Sequence, residues 1–316
     1  MMPFVFAKGE NMIRTVLGDI PKEELGVTLA HEHFIVNLDK VRHDGYSRID
    51  TCEEVEPEIK KAMALGIQAA VEVTTIDMDR DVRKLQQISK DTGLKIVCAT
   101  GFYLQPFHPS FLKDATVDEI ANIYVRELTQ GADGTGIKPG IIAEIASSKD
   151  GFTEEERKCL MAAGRASVRT GSAVSTQTGP VTAQETVDIL LNEGVDPDKV
   201  IIGHQDLVDD HEYHMNLLKR GVNIAFDTCG KSAYMPDEIR AKNAKLIVEE
   251  GYEDHLVLSN DVSRRTYFSS YPNQWGYTAV MASAVPLMRK AGIKKETLKK
   301  FLMSNPARIF NNEKWK

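Results

Sequence analysis

The sequence predicts an α/β chain folded as a single domain, a (β/α)8 TIM barrel. Three observations carry that expectation: short apolar runs alternate with amphipathic helical stretches from end to end, the runs number eight, and polar clusters stand at nearly every run's exit. Strands separated by helices pair in parallel with both faces covered, and eight of them close a barrel. A doubly wound open sheet is the competing arrangement. It is disfavoured because no G-x-G-x-x-G follows an early strand and no G-x-x-x-x-G-K-[ST] occurs anywhere.

Taken in order, the expected strands are Val27–Ala30, Gln68–Val73, Lys95–Ala99, Gly140–Ile145, Ala173–Thr176, Val200–Gly203, Val222–Phe226 and Leu256–Ser259. Glycines at 66, 93, 171, 194, 221 and 251 each end a helical stretch shortly before a β-rich run, as helix C-caps do. Helix starts are marked by Thr-x-x-Glu capping boxes at Thr116 with Glu119, Thr153 with Glu156 and Thr182 with Glu185, while Pro236 suits a first helical turn. The longest connections are expected after the third and eighth strands, over 101–115 and 262–277. Both are rich in aromatics and proline and would fold over the mouth of the barrel.

Residues 1–12 read as an N-terminal extension and 13–316 as the barrel; the apolar start lacks a basic leader and is a poor signal peptide. A chain of 316 residues with 42% hydrophobic and 27% charged residues buries a sizeable core. The net charge of −7 argues against a general affinity for nucleic acid or an anionic membrane, so small molecules are the expected partners. No apolar run reaches the length that crosses a bilayer. Cys52, Cys98, Cys159 and Cys229 are scattered without a C-x-x-C pair, which fits a reducing, cytoplasmic setting; Cys229, in a Gly-flanked loop, is the one candidate to line a site.

The chemistry is expected at the strand exits. His31 and His33 close the first run, and residues i and i+2 of a strand project to the same side, so two imidazoles could hold one ion while Glu32 points away. The fourth strand offers Glu144, the sixth ends at His204 and the eighth at Asp261. Converging on one barrel mouth, these five suit a hydrolytic metal site, and a buried carboxylate such as Glu144 is costly unless paired or bound to a cation. His211 and His214, i and i+3 in a charged stretch, read as solvated helix surface, and His43, His108 and His255 as ordinary structural histidines. There is no G-x-S-x-G elbow to support a serine nucleophile. Lys231 and Tyr234 after the seventh strand, with Arg264, Arg265, Tyr267, Tyr271 and Tyr277 after the eighth, form a cationic, aromatic corner suited to a phosphorylated substrate. The alternative is pairing of these cations with Asp227, Asp237 or Glu238 on the rim.

Six segments make the reading specific: Thr15-Val16-Leu17-Gly18, Thr28-Leu29-Ala30-His31-Glu32-His33, Gly140-Ile141-Ile142-Ala143-Glu144-Ile145, Gly203-His204-Gln205-Asp206-Leu207, Phe226-Asp227-Thr228 and Leu258-Ser259-Asn260-Asp261. With Asn305-Pro306 they resemble the phosphotriesterase family, in its phosphotriesterase-homology branch of the amidohydrolase superfamily, nearly end to end. The resemblance implies a barrel with two divalent ions, zinc or manganese. His31, His33 and Asp261 would hold the more buried ion, Glu144 would bridge to the second in place of a carboxylated lysine, and His204 would bind that second ion. At the end of the fifth strand the chain departs from the pattern, with Gln177 where the family has histidine. Three outcomes stay open: a weakly bound second ion, a single ion, or an impaired enzyme. Hydroxide generated at the metal would attack the substrate, with Asp261 carrying the proton toward the leaving group. The expected reaction is the opening of a lactone, foremost of a sugar phosphate. The alternatives are amide or phosphoester hydrolysis, or a barrel that binds a metabolite without turnover. A homodimer is expected by analogy with the family.

Overall fold

The computed structural model describes residues 11–315 of the chain. Its centre is an eight-stranded parallel sheet: β1 (Thr28–Glu32), β2 (Ala69–Glu72), β3 (Lys95–Thr100), β4 (Ile141–Ala146), β5 (Val174–Gln177), β6 (Val200–Gly203), β7 (Asn223–Phe226) and β8 (Leu256–Leu258). The strands neighbour one another in chain order from β1 to β8. The remaining gap, between β8 and β1, is drawn together by side chains as well as backbone. The His31 N–H donates to Ser259 Oγ at 2.9 Å, the Asp261 N–H to the His31 carbonyl at 3.2 Å, and Ser259 Oγ to Glu32 Oε1 at 2.7 Å. Glu32, fully buried, also accepts from the backbone N–H groups of Asn260 and Val262. It therefore points away from the two histidines and ties the eighth strand's exit to the first.

The strands are apolar on both sides because they face two cores. Ala30, Ala69, Val71, Val97, Ala99, Ile141, Ala143, Ile201, Ala225 and Val257 fill the barrel, and Ile13, Leu25, Ile309 and Phe310 join them. Alanine alternates with valine and isoleucine inside, because eight strands enclose packed layers of side chains and not a pore. Leu29, Ile96, Ile142, Val174, Ile202, Ile224 and Leu256 face outward to the helices. Those helices are α1 (Cys52–Ala64), α2 (Val82–Thr92), α3 (Val117–Gln130), α4 (Glu154–Thr170), α5 (Ala183–Asn192), α6 (His211–Leu218), α7 (Asp237–Glu249) and α8 (Val285–Lys290), the last continuing a π-helical turn at Val280–Ala284. Among the described residues no helix is long and apolar enough to cross a membrane.

Capping largely follows the sequence. The boxes at Thr116 and Thr153 form, and Gly93 and Gly171 end α2 and α4 in the left-handed conformation. Two expectations are corrected. Thr182 caps no backbone group, because its hydroxyl pairs instead with Ser147 Oγ at 2.6 Å, and Pro236 precedes α7 as its N-cap rather than lying in its first turn. The expected extension over 1–12 falls mostly outside the described residues, but Met12 already begins an antiparallel hairpin, Met12–Thr15 with Gly18–Pro21. A third long connection, residues 33–51, was not singled out by composition. It holds a small hairpin, Val36–Asn37 with Arg48–Ile49, and the helical turn Asp39–Arg42.

Candidate metal centre and cleft

Simple alternation would not place the ligands correctly, because Ala30 already faces the barrel interior and His31 should then face outward. The register of β1 against β2 shifts between Leu29 and Glu32, and that of β4 against β5 shifts between Ile142 and Ile145. Each irregularity sits at a candidate ligand, His31 in one strand and Glu144 in the other, and a bulge re-aims the side chain it carries. At β6 the chain turns sharply: Gly203 lies so close to the Thr176 carbonyl that a Cβ would collide with it, and His204 follows with φ of 60°. Asp261 holds φ of 50°. Left-handed conformations cost a non-glycine residue about 1 kcal/mol or more and persist where neighbours fix them. Here the neighbour of the His204 N–H is Asp227 Oδ1, at 3.0 Å.

The result is a buried convergence of donors. His31 Nε2 lies 3.2 Å from Glu144 Oε1, His33 Nε2 lies 3.6 Å from Glu144 Oε2 and 3.3 Å from Asp261 Oδ1, and His31 Nε2 is 3.9 Å from Asp261 Oδ1. Donors about 2.1 Å from a shared tetrahedral ion stand roughly 3.4 Å apart, so these spacings fit one. His31, 1% exposed, makes no hydrogen bond with either ring nitrogen, an arrangement that a cation satisfies and an apolar core does not.

Second contacts choose the tautomers. Thr74 Oγ1 donates to Glu72 Oε1 at 2.5 Å and so accepts from His33 Nδ1 at 2.9 Å, leaving His33 Nε2 with its lone pair toward the cluster. Asp227 does the same for His204, accepting from its Nδ1 at 2.8 Å, and stands 3.3 Å from His31 Nδ1 without a hydrogen bond to it. His204 Nε2 is then free to face Glu144 Oε1, 3.8 Å away.

Electrostatics make the same demand for positive charge. Burial lowers the pKa of His31, but Glu144, Asp227 and Asp261 around it raise it to about 10. Burial likewise lowers His204, and Asp227 above all raises it to about 9. Burial favours the neutral acid at Asp261, yet the Lys231 ammonium and the histidines hold it well below the usual carboxylate range. The four donors His31, His33, Glu144 and Asp261 fit a divalent cation. On the His204 side the fit is incomplete: His204 Nε2 and Glu144 are present, but the Gln177 carbonyl oxygen accepts from the Tyr103 hydroxyl at 2.5 Å.

A cleft with about 610 Å³ of empty space opens above the cluster. Lys231, Tyr234 and Arg264 line it, and so do Arg42, Tyr103 and Tyr267. Lys231 pairs with Asp261 Oδ2 and lies 4.7 Å from the centre of the Tyr267 ring; Arg264 is 5.7 Å from the same ring. Three residues expected at the cationic corner stand elsewhere. Arg265 turns back to Glu54 at 2.8 Å and Asp50 at 3.1 Å, Tyr271 is exposed outside the cleft, and Tyr277 is buried beneath it, donating its hydroxyl to the His33 carbonyl at 2.6 Å. Cys229 is buried off the cleft, its thiol pushed up by burial. His214 is not solvated surface: it is buried and its Nε2 bonds the Gln205 carbonyl at 2.8 Å. The expected rim pairing is also redistributed, since Asp227 serves histidines and Asp237 serves Arg240. Sequence reading missed Arg42 and Tyr103. Tyr103 lies in a connection already marked as aromatic, whereas nothing local marks Arg42.

Residues 11–310 match the model of the phosphotriesterase family. The chain is similar to the phosphotriesterase homology protein of Escherichia coli, whose crystal structure complexed with phosphate in the active site superposes with a TM-score of 0.87 at 32% identity, covering 91% of this chain and 99% of that one. It is similar to a lactonase from Listeria monocytogenes, with a TM-score of 0.89 and 29% identity over 95% of this chain and 98% of the other. It also aligns with the N-acetyltaurine hydrolase of Xenopus tropicalis, at 31% identity over 93% of this chain and 96% of the relative.

Proposed function

The chain belongs to the phosphotriesterase family of metal-dependent hydrolases, and from that premise we propose that it opens the lactone ring of a phosphorylated sugar. The observation that carries this reading is the juxtaposition, in one cleft, of the buried donor cluster with the cations Arg42, Lys231 and Arg264. In a chain of net charge −7, such a cationic lining marks an anionic substrate. The phosphate in the Escherichia coli relative and the activity named for the Listeria relative support both halves of the assignment.

A bound divalent cation, zinc or manganese by its donor set, supplies a water acidified from about 15.7 to near 7 and polarises a carbonyl. The remaining work falls to the protein. Asp261 stands between the donor cluster and Lys231, placed to accept a proton from the attacking water and pass it to the leaving alkoxide. Lys231 and Arg264, stacked about the Tyr267 ring, orient the phosphate; Tyr234, whose hydroxyl is 3.0 Å from that of Tyr267, steadies the same wall. Among the described residues the four cysteines are unpaired, which supports a reducing, cytoplasmic setting.

A second reading, hydrolysis of an amide bearing a sulfonate, is favoured by the N-acetyltaurine hydrolase relative, because the same cations would hold a sulfonate. The test is a panel of phosphorylated lactones, their unphosphorylated counterparts and N-acyl aminosulfonates, assayed with metal-loaded and chelator-stripped protein. Arg264→Leu should raise KM for the phosphorylated lactone roughly 10- to 100-fold, the worth of about 1.5–3 kcal/mol for a charged hydrogen bond, and leave the neutral lactone unchanged. Preference for the sulfonate-bearing amide would move the assignment to the second reading; turnover indifferent to chelation would defeat both.

A further inference from the structure

We infer that this chain retains a single tightly bound ion, at His31, His33, Glu144 and Asp261, and that Gln177 faces substrate as a hydrogen-bond donor rather than serving as a ligand of a second ion. The inference rests on the metal-dependent reading above and narrows it. The register sets the stage: Gln177 lies opposite Gly203, the residue before His204, and opposite Ala146, two residues beyond Glu144. It is therefore the side chain placed to complete an ion held between His204 and Glu144.

Its chemistry is committed elsewhere. A glutamine amide offers a neutral carbonyl oxygen with two lone pairs, a weaker donor to a cation than imidazole or carboxylate, and an NH2 that only donates. That oxygen already accepts from the Tyr103 hydroxyl, which draws on one lone pair and orients the amide away from a purely ligating pose. Tyr103 is itself fixed, buried to 3% exposure, with its N–H on Asp77 at 3.0 Å and its ring 5.2 Å from that of Phe107. What remains of Gln177 is the NH2, which has no partner among the described residues and belongs to a cleft-lining side chain. On the cluster side of His204 two strong donors, its Nε2 and one Glu144 oxygen, are then left for a second ion, against four for the first; Asp227 groups with His31 and His204 too, but it meets their Nδ1 side, where it already accepts from His204. Lys231 adds a like charge to the same cleft, held there by Asp261. A free amide NH2 on a cleft-lining side chain suits an oxygen that gains negative charge as the substrate's carbonyl is attacked.

The test is elemental analysis of protein expressed with manganese and zinc supplied and desalted, together with electron paramagnetic resonance of the manganese form. The natural chain should carry one ion per chain and show the spectrum of an isolated manganese. Gln177→His and Gln177→Glu, each restoring a strong donor, should carry two and show an exchange-coupled pair. Two ions in the natural chain would overturn the inference and leave the hydrolase reading standing. So would a single ion in both variants when their circular dichroism and melting match the parent. No ion in the natural chain would overturn both.

Discussion

At the residue scale the candidate metal cluster is ordered by side chains outside the donor set. His33 presents Nε2 because Thr74 holds its Nδ1, and Thr74 can do so because Glu72 takes the hydroxyl proton. Thr74→Val keeps the volume and removes the acceptor, so metal affinity should fall about 10- to 100-fold, read by competition with a fluorescent chelator. Unchanged affinity would mean that packing alone orients the ring. The candidate ligands were legible, since His31, His33, His204 and Asp261 follow apolar runs and Glu144 interrupts one. Thr74 and Glu72 were not, because a threonine after a strand carries no mark of which imidazole it meets. Tyr277 and Arg265 show the converse failure: their residue types suit a phosphate, but their neighbours in space are a backbone carbonyl and two carboxylates.

At the scale of elements, the two strand irregularities and one buried arginine position the cleft. Arg240 on α7, fully buried, bonds Asp206 beyond β6 at 2.6 Å, Thr228 beyond β7 at 2.7 Å and Asp237 at 2.9 Å. It joins the two connections that carry His204 and Lys231. Arg240→Met leaves buried carboxylates without a counter-charge and should destabilise the fold by about 3–5 kcal/mol, measured by urea unfolding of the holoprotein. A loss under 1 kcal/mol would show that the carboxylates find other partners. Strand positions followed from apolar runs to within a residue or two, but β1 continues through His31 and Glu32, past its expected end at Ala30. The bulges were invisible for a plain reason: they are properties of pairing between strands, and a run of residues does not reveal its partner's register.

For the whole molecule, the concentration of carboxylates at one end of the barrel links protons, ions and stability. In metal-free protein His31 and His204 are raised to about 10 and about 9, above the ordinary 6.5, so the native state holds protons that the unfolded chain has released. With more protons bound in the folded form, stability falls as pH rises: the contribution is complete below about pH 6.5 and is lost through pH 9 to 10. The melting temperature of chelator-stripped protein should therefore decline from pH 7 to 10, whereas metal-loaded protein should change less, because the ion replaces the protons. A flat profile for the stripped protein would refute the linkage. The sequence by itself determined the alternation of strands and helices, the number of strands and five candidate ligands at four strand exits, because periodicity and residue type are local. Only the tertiary structure decided that Tyr103 occupies the Gln177 oxygen, that Arg42 reaches the cleft, that His214 is buried and that Arg265 and Tyr277 serve the scaffold. Each of these depends on which distant side chain arrives as a neighbour, and burial and charge then assign its role.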